Sequence, residues 1–204
     1  FGAHIANVSG LSGFPSGTIN RRNFQYIGIN PMGSPGTTAL SRGDWQQAAS
    51  EVLSEISPVN IGAQASYDFS TGVLTVNTET YYTSTVTNNQ KLNVAVLQNN
   101  LPGPQAGAQN YNPADIISGP WSPTYNHRDV LRYLMEGQNG LSLNNTTSGT
   151  FIANTHTWNV PNNLSSSGVP GGGYFPYIDP TDLEVIAFIT ENDNNVFTAF
   201  ETPV

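Results

Sequence analysis

Lys91-Leu-Asn-Val-Ala-Val-Leu-Gln-Asn-Asn-Leu-Pro-Gly-Pro-Gln105 is the stretch that decides the fold. Its apolar residues alternate with small or polar ones, the period of a strand with one buried face. The run then breaks at Pro102-Gly103-Pro104, so the strand Lys91–Leu97 should lead into an ordered loop ending at Gln105. Working outward, Val59–Tyr67 and Val73–Tyr82 alternate in the same way. The turn residues Asp68-Phe-Ser-Thr-Gly72 lie between them, which predicts a hairpin. Downstream, Gly149–Asn159, Leu183–Thr190 and Val196–Glu201 read as further strands, while the apolar spacing of Val130, Leu131 and Leu134 in His127–Met135 suits a helix as well as a strand. Leu183–Thr190 is apolar enough to be central, and Asn192-Asp-Asn-Asn195 turns it into the last strand. Strands separated by turns in this way predict a mostly β fold, a two-sheet β-sandwich over residues 58–204. Leu74, Val76, Val94, Val96, Val185, Ala187 and Ile189 should point into one core.

Residues 1–57 differ. A helix is predicted after Ser41-Arg-Gly-Asp44, with Ser41 or Asp44 as its cap and an apolar stripe at Trp45, Ala48, Ala49, Val52, Leu53 and Ile56. Pro58 ends it. Before it, Gly13-Phe-Pro-Ser-Gly-Thr-Ile-Asn-Arg21 reads as a proline turn followed by a short strand near Thr18-Ile19-Asn20. A segment this small cannot enclose the helix face formed by Trp45, Ala49, Val52 and Ile56. Something must cover it: missing sequence, the β-domain of the same chain, or a neighbouring copy. The last of these is a route to a homo-oligomer or larger assembly. Arg42-Gly43-Asp44 also spells an adhesion tripeptide, but its position at a helix N-terminus accounts for it.

Composition restricts the function. The 204 residues carry 10% charged side chains, against about 25% in an average soluble domain. Asn, Ser, Thr and Gln supply the polarity instead. The net charge is -8, and Arg21-Arg22 is the only adjacent basic pair, which argues against nucleic-acid binding. No run approaches the ~20 apolar residues of a membrane helix. There is no cysteine, so neither a disulfide framework nor thiolate chemistry is available to these residues.

The runs Lys91–Gln105 and Tyr125-Asn-His-Arg-Asp-Val-Leu-Arg132 together resemble the 28-kDa outer-membrane lipoprotein family of Bacteroidetes-type bacteria. In that family a strand leads into a loop with a glutamine, and a His-x-x-x-Leu-Arg strand follows later. The resemblance makes His127–Met135 a strand and gives Gln105, His127 and Arg132 structural positions. It implies an outer-membrane, cell-surface or extracellular setting. Gly13-Phe-Pro-Ser in turn resembles the thioredoxin segment in which a cis proline precedes a strand. That resemblance makes Pro15 structural, the Phe14–Pro15 bond cis, and residues 1–57 the C-terminal half of a thioredoxin-like α/β domain. The chain is then expected to be a piece of a longer exported precursor. Upstream sequence would separate a redox protein, with C-x-x-C, from a lipid-anchored surface module.

Catalytic signals are weak. His4, His127 and His156 lack metal-ligand spacing, no G-x-S-x-G occurs, and no pair of acids stands out as a glycosidase dyad. Calcium is the one cofactor with candidate ligands, at Asp179 and Asp182 and at Glu191 and Asp193; turn formation explains these acids equally well. The insertions 99–126 and 160–182 are long for a compact domain, and loops of that length tend to carry function. They hold Trp121, Tyr125, Tyr174, Phe175 and Tyr177, aromatics suited to stack on sugars or to anchor a protein partner. The expectation is a non-enzymatic envelope protein that makes protein or glycan contacts. The alternative is a thiol–disulfide protein whose redox half lies outside this chain.

Overall fold

The structure is a computed structural model that describes residues 2–13, 16–162 and 177–204. In chain order its elements begin with helix α1 (Gly2–Ser9), the two-residue strands β1 (Ser16–Gly17) and β2 (Leu40–Ser41), and helix α2 (Trp45–Leu53). The hairpin β3 (Val59–Asp68) and β4 (Val73–Tyr82) follows, then β5 (Gln90–Gln98). The first insertion holds β6 (Leu101–Pro104), the single-turn α3 (Ala108–Tyr111), β7 (Ile116–Ile117) and β8 (Thr124–His127). The chain continues with β9 (Val130–Leu134), β10 (Leu141–Leu143) and β11 (Phe151–Asn159), and closes with β12 (Leu183–Glu191) and β13 (Asn194–Pro203).

Two antiparallel sheets make the sandwich. One has the order β11-β4-β3; in the other, β5 lies between β12-β13 on one edge and β9 and β10, end to end, on the opposite edge. Alternation explains the first sheet directly. On β4, Leu74, Val76, Thr78, Thr80 and Tyr82 are buried, while Asn77, Glu79 and Tyr81 face water. All the expected core residues, Leu74, Val76, Val94, Val96, Val185, Ala187 and Ile189, sit inaccessible in one cluster between the sheets. Each such side chain contributes about 1.5–3 kcal/mol by leaving water. Tyr133 of β9 stacks on Trp158 of β11 across the sandwich, with centroids 4.4 Å apart.

β5 is buried on both faces. Its outer face, with Phe188, Leu134, Leu131 and Val196, forms a second apolar cluster. Residues 1–57 dock beside it. The Arg21 guanidinium lies 4.9 Å from the Phe188 ring centroid. The backbone N–H of Val196 donates to the Asn20 carbonyl at 2.8 Å, and that of Asn195 to the Arg21 carbonyl at 3.1 Å. Phe24, Ile29, Leu40 and Ala48 give the segment its own small core, against which Trp45 and Val52 pack.

Several local expectations change. The stretch His127–Met135 is a strand over Val130–Leu134, β9; His127 ends β8, and a kink at Arg128 and Asp129, where Asp129 adopts φ 53°, separates the two. Pro102-Gly103-Pro104 lies in the short strand β6, which pairs with β8: the prolines sit in a four-residue edge strand, where a missing donor costs little. Helix α2 stops at Leu53, so Ile56 falls beyond it and is 96% exposed rather than buried. Asp44 caps no backbone N–H; its carboxylate accepts from the Ser41 hydroxyl at 2.9 Å. The ladder of residues 1–57 is Ser16–Gly17 against Leu40–Ser41, with Thr18–Asn20 just beyond it. Phe14 and Pro15, on which the thioredoxin resemblance leaned, lie outside the described residues. No helix among those described is long and apolar enough to cross a membrane.

Candidate functional site

The end of β5 builds the site. Leu92, Val94 and Val96 point into the core, so strand parity aims Gln98 the same way. It is 2% exposed, and its side-chain carbonyl accepts no hydrogen bond from the described residues. A buried acceptor left unmade costs about 1–3 kcal/mol. Over this end of the core opens a cleft of about 640 Å³, lined by Gln98, Asn100, Trp121, Tyr177, Asp179 and Asp182, with Leu101, Pro102, Ile178 and Pro180 as its apolar walls.

Its walls are held from behind. Asn100 takes a left-handed conformation, φ 54°, to turn β5 into β6. Its amide donates to the Asp182 carboxylate at 2.7 Å and its carbonyl oxygen accepts from Asn126 at 3.2 Å. Asp179 starts the single 3-10 turn Pro180–Asp182, accepting from the Thr181 N–H at 3.0 Å and the Thr181 hydroxyl at 2.7 Å. Those bonds hold its carboxyl below the usual range. Trp121 sits in a turn that Thr124 clamps: the Trp121 N–H donates to the Thr124 hydroxyl oxygen, and that hydroxyl donates back to the Trp121 carbonyl, each at 3.0 Å. Gly119 is required there, because a Cβ would come within 2.5 Å of the Thr124 hydroxyl oxygen. Tyr177 is 73% exposed, yet its carbonyl accepts at 2.9 Å from Arg132, a buried guanidinium whose pKa burial lowers. An exposed ring on a fixed backbone is prepared for stacking.

The structure therefore brings together Trp121, Tyr177, Asp179 and Asp182, with Arg132 behind them. Tyr125 and Gln105 line a separate hollow of about 230 Å³. There the Tyr125 hydroxyl is tied to Asn112 and Asp115, and its ring meets His127 edge-on at 5.1 Å. Glu191 and Asp193 lie at the far end of β12 from Asp179 and Asp182. Glu191 accepts from Asn88 and Asn195, and Asp193 pairs with Lys91 at 2.6 Å. Tyr174 and Phe175 lie outside the described residues. His156 is buried, with Nε2 3.1 Å from the Thr78 hydroxyl and Nδ1 2.5 Å from Glu136, on a different sheet from His127.

Sequence reasoning missed Gln98 and Asn100. The signal was present: Gln98 is a polar residue at a core parity position of the very strand that fixed the fold. It also missed a carboxylate group formed by Asp129, Glu184 and Glu201, whose oxygens lie within 4.8 Å of one another. Glu184, through a hydrogen bond and its charge, holds the Glu201 carboxyl above its ordinary value. Those three acids could contribute to a cation site, though calcium requires six to eight oxygens.

No protein-family model and no curated protein matches the chain. Among solved structures, the chain is similar to a domain of the outer membrane lipoprotein Omp28 from Porphyromonas gingivalis. The likeness covers 74% of this chain and 90% of that one, at 15% identity and a TM-score of 0.43. That protein is an outer membrane lipoprotein, the class that the runs 91–105 and 125–132 resemble.

Proposed function

We propose that this chain is a non-enzymatic binding module of the cell envelope or cell surface, and that the cleft over the end of β5 takes a glycan. The observation that carries the reading is the meeting of two aromatics, Trp121 and Tyr177, around one cleft floored by the end of β5. Aromatic faces stack on the apolar faces of sugar rings, and a few placed polar groups fix orientation. A surface rich in Asn, Ser and Thr and poor in charge suits an extracellular setting. The acids of the cleft are poorly suited to glycoside hydrolysis. A general acid needs a raised pKa, whereas the Thr181 bonds lower that of Asp179. The thiol–disulfide alternative has no cysteine in this chain with which to act.

The test is calorimetric titration against a panel of oligosaccharides. Binding should be lost in Trp121→Ala and in Tyr177→Ala, and kept in Tyr111→Ala, which removes an exposed ring lying outside the cleft. A panel without any binder, or cleft variants that bind as well as the parent, would refute the reading.

A further inference from the structure

We infer that the seam between residues 1–57 and the β12–β13 turn is a separate binding site for a free amino acid or short peptide, with the ligand's carboxylate on Arg21 and its ammonium towards Glu51. The seam gathers cations in which the chain is otherwise poor. Of six basic residues in a chain of net charge -8, Arg21, Arg22 and Lys91 meet here. Two of the three are engaged. Arg22 donates to Glu55 at 2.5 Å and to Asn195 at 2.9 Å, and Lys91 pairs with Asp193 at 2.6 Å. Arg21 is different: none of its side-chain N–H groups donates to a described residue. Its guanidinium is partly buried, 4.9 Å from the Phe188 ring centroid, and burial lowers its pKa against the pull of Asp193. Stacking uses the flat face of a guanidinium. Its N–H donors lie in the plane of the group and stay available at the edge.

The shape of the seam orders these charges. An inner hollow of about 40 Å³ lies against Lys91, Asn93 and Thr190. An outer hollow of about 490 Å³, within the usual size range of small-molecule sites, runs past Tyr26 to Glu51 and Glu55. Arg21 lines both hollows, whereas Glu51, Glu55 and Tyr26 line the outer one alone. The unengaged cation therefore sits at the inner end and the carboxylates at the outer end. Glu55 is held by Arg22, but Glu51 meets, among the described residues, only the Tyr26 hydroxyl, at 3.4 Å. An anion alone would gain Arg21 and face two glutamates. A cation alone would gain the glutamates and face Arg21. A dipolar ligand satisfies both ends. One unengaged guanidinium matches one carboxylate, through two parallel N–H···O bonds, rather than a doubly charged phosphate. The Tyr26 ring, 61% exposed beside the outer hollow, offers an apolar face to the ligand's side chain.

The experiment titrates the full chain with the dipeptides Gly-Xaa, Xaa being each standard amino acid. NMR follows the Arg21 side-chain Nε–H and the Asn194 and Asn195 side-chain amides, up to about 10 mM ligand, which reads any Kd tighter than about 1 mM. The inference expects at least one dipeptide to bind and to shift these signals. Its C-terminal amide, which lacks the carboxylate, should bind ~10-fold more weakly, the loss of a charge-assisted pair with Arg21. Its N-acetyl form, which lacks the ammonium, should bind about 3-fold more weakly, because Glu51 acts nearer to water. Arg21→Met, checked for an unchanged amide spectrum, should lose binding. Glu51→Gln should weaken the free dipeptide about 3-fold and leave the N-acetyl form unchanged. The inference is overturned if no dipeptide binds, if either blocked form binds as tightly as the free one, or if Arg21→Met binds like the parent. Should Arg21→Met fail to fold, the blocked dipeptides decide the matter on the unaltered chain. The glycan reading stands or falls separately, since the seam and the cleft over β5 share no lining residue.

Discussion

At the scale of single residues, two groups tie this structure to pH. Tyr82 is enclosed in the core, its hydroxyl meets no donor or acceptor among the described residues, and burial raises its pKa to about 12. A raised folded-state pKa means the folded chain holds that proton more tightly than the unfolded chain. The contribution is therefore whole below about pH 10, the ordinary tyrosine value, and is lost as pH rises towards 12. Alkaline titration followed at 295 nm should show one tyrosine ionising late, coincident with unfolding. Tyr82→Phe should abolish that late step and leave the melting point at neutral pH unchanged or higher, by up to ~1 kcal/mol, since it removes a hydroxyl without a partner. Asp68 behaves oppositely. It accepts from the Ser70 N–H at 2.8 Å, the Ser70 hydroxyl at 2.7 Å and the Thr71 hydroxyl at 2.8 Å, which lower its pKa to about 2. Its contribution to the hairpin turn is present above about pH 4 and fades as pH falls towards 2. Carboxyl NMR titration should place Asp68 lowest among the carboxylates with resolved shifts. An ordinary value would contradict the turn geometry.

At the scale of elements, the small core of residues 1–57 depends on Phe24 and on the inner part of the helix stripe, not on its last residue, Ile56. Phe24 is wholly enclosed by Ile29, Leu40 and Ala48, and Phe24→Ala should cost about 3–5 kcal/mol. Ile56→Ser should change stability by less than about 0.5 kcal/mol, because Ile56 lies past the end of α2 in water. Chemical denaturation of both variants decides it, and equal losses would mean that the helix extends to Pro58 and buries its full stripe. This contrast also shows what could be read from sequence. Strands with period-two alternation, such as β4 and β12, were legible because burial on one face writes itself into every second residue. The end of α2 was not, since Ile56 continues a helical spacing that the chain no longer follows. The break between His127 and Val130 was not legible, because the kink at Asp129 is carried by a non-glycine residue in the left-handed region, which leaves no glycine or proline marker. The strand pairing of Pro102–Pro104 was hidden by the prolines themselves, since an edge position excuses them only once the partner is known.

At the scale of the whole molecule, the sandwich brings to one end what the sequence keeps far apart. Gln98, Trp121 and Tyr177 meet because β5 and β12 are neighbours and Gln98 pairs with Leu183 where β12 begins, beside residues 177–182 and the first insertion. The aromatics were legible as loop residues of a contact surface, but their division between two hollows was not. Tyr125 lines a hollow apart from that of Trp121, on the strand β8 that pairs with β6 and β7 in a small sheet of its own. Such pairings between distant segments follow from packing, which local periodicity does not record. The central claim is that this cleft, and no other part of the surface, receives a glycan. The most direct measurement is an amide and side-chain NMR titration of the full chain with the oligosaccharide of the panel that binds best. The account expects the largest shifts at the Gln98 side-chain amide, the Trp121 indole N–H, Asn100 and Tyr177, with the Tyr111 region unmoved. Shifts centred elsewhere, or a Gln98 amide that stays still at saturation, would contradict it.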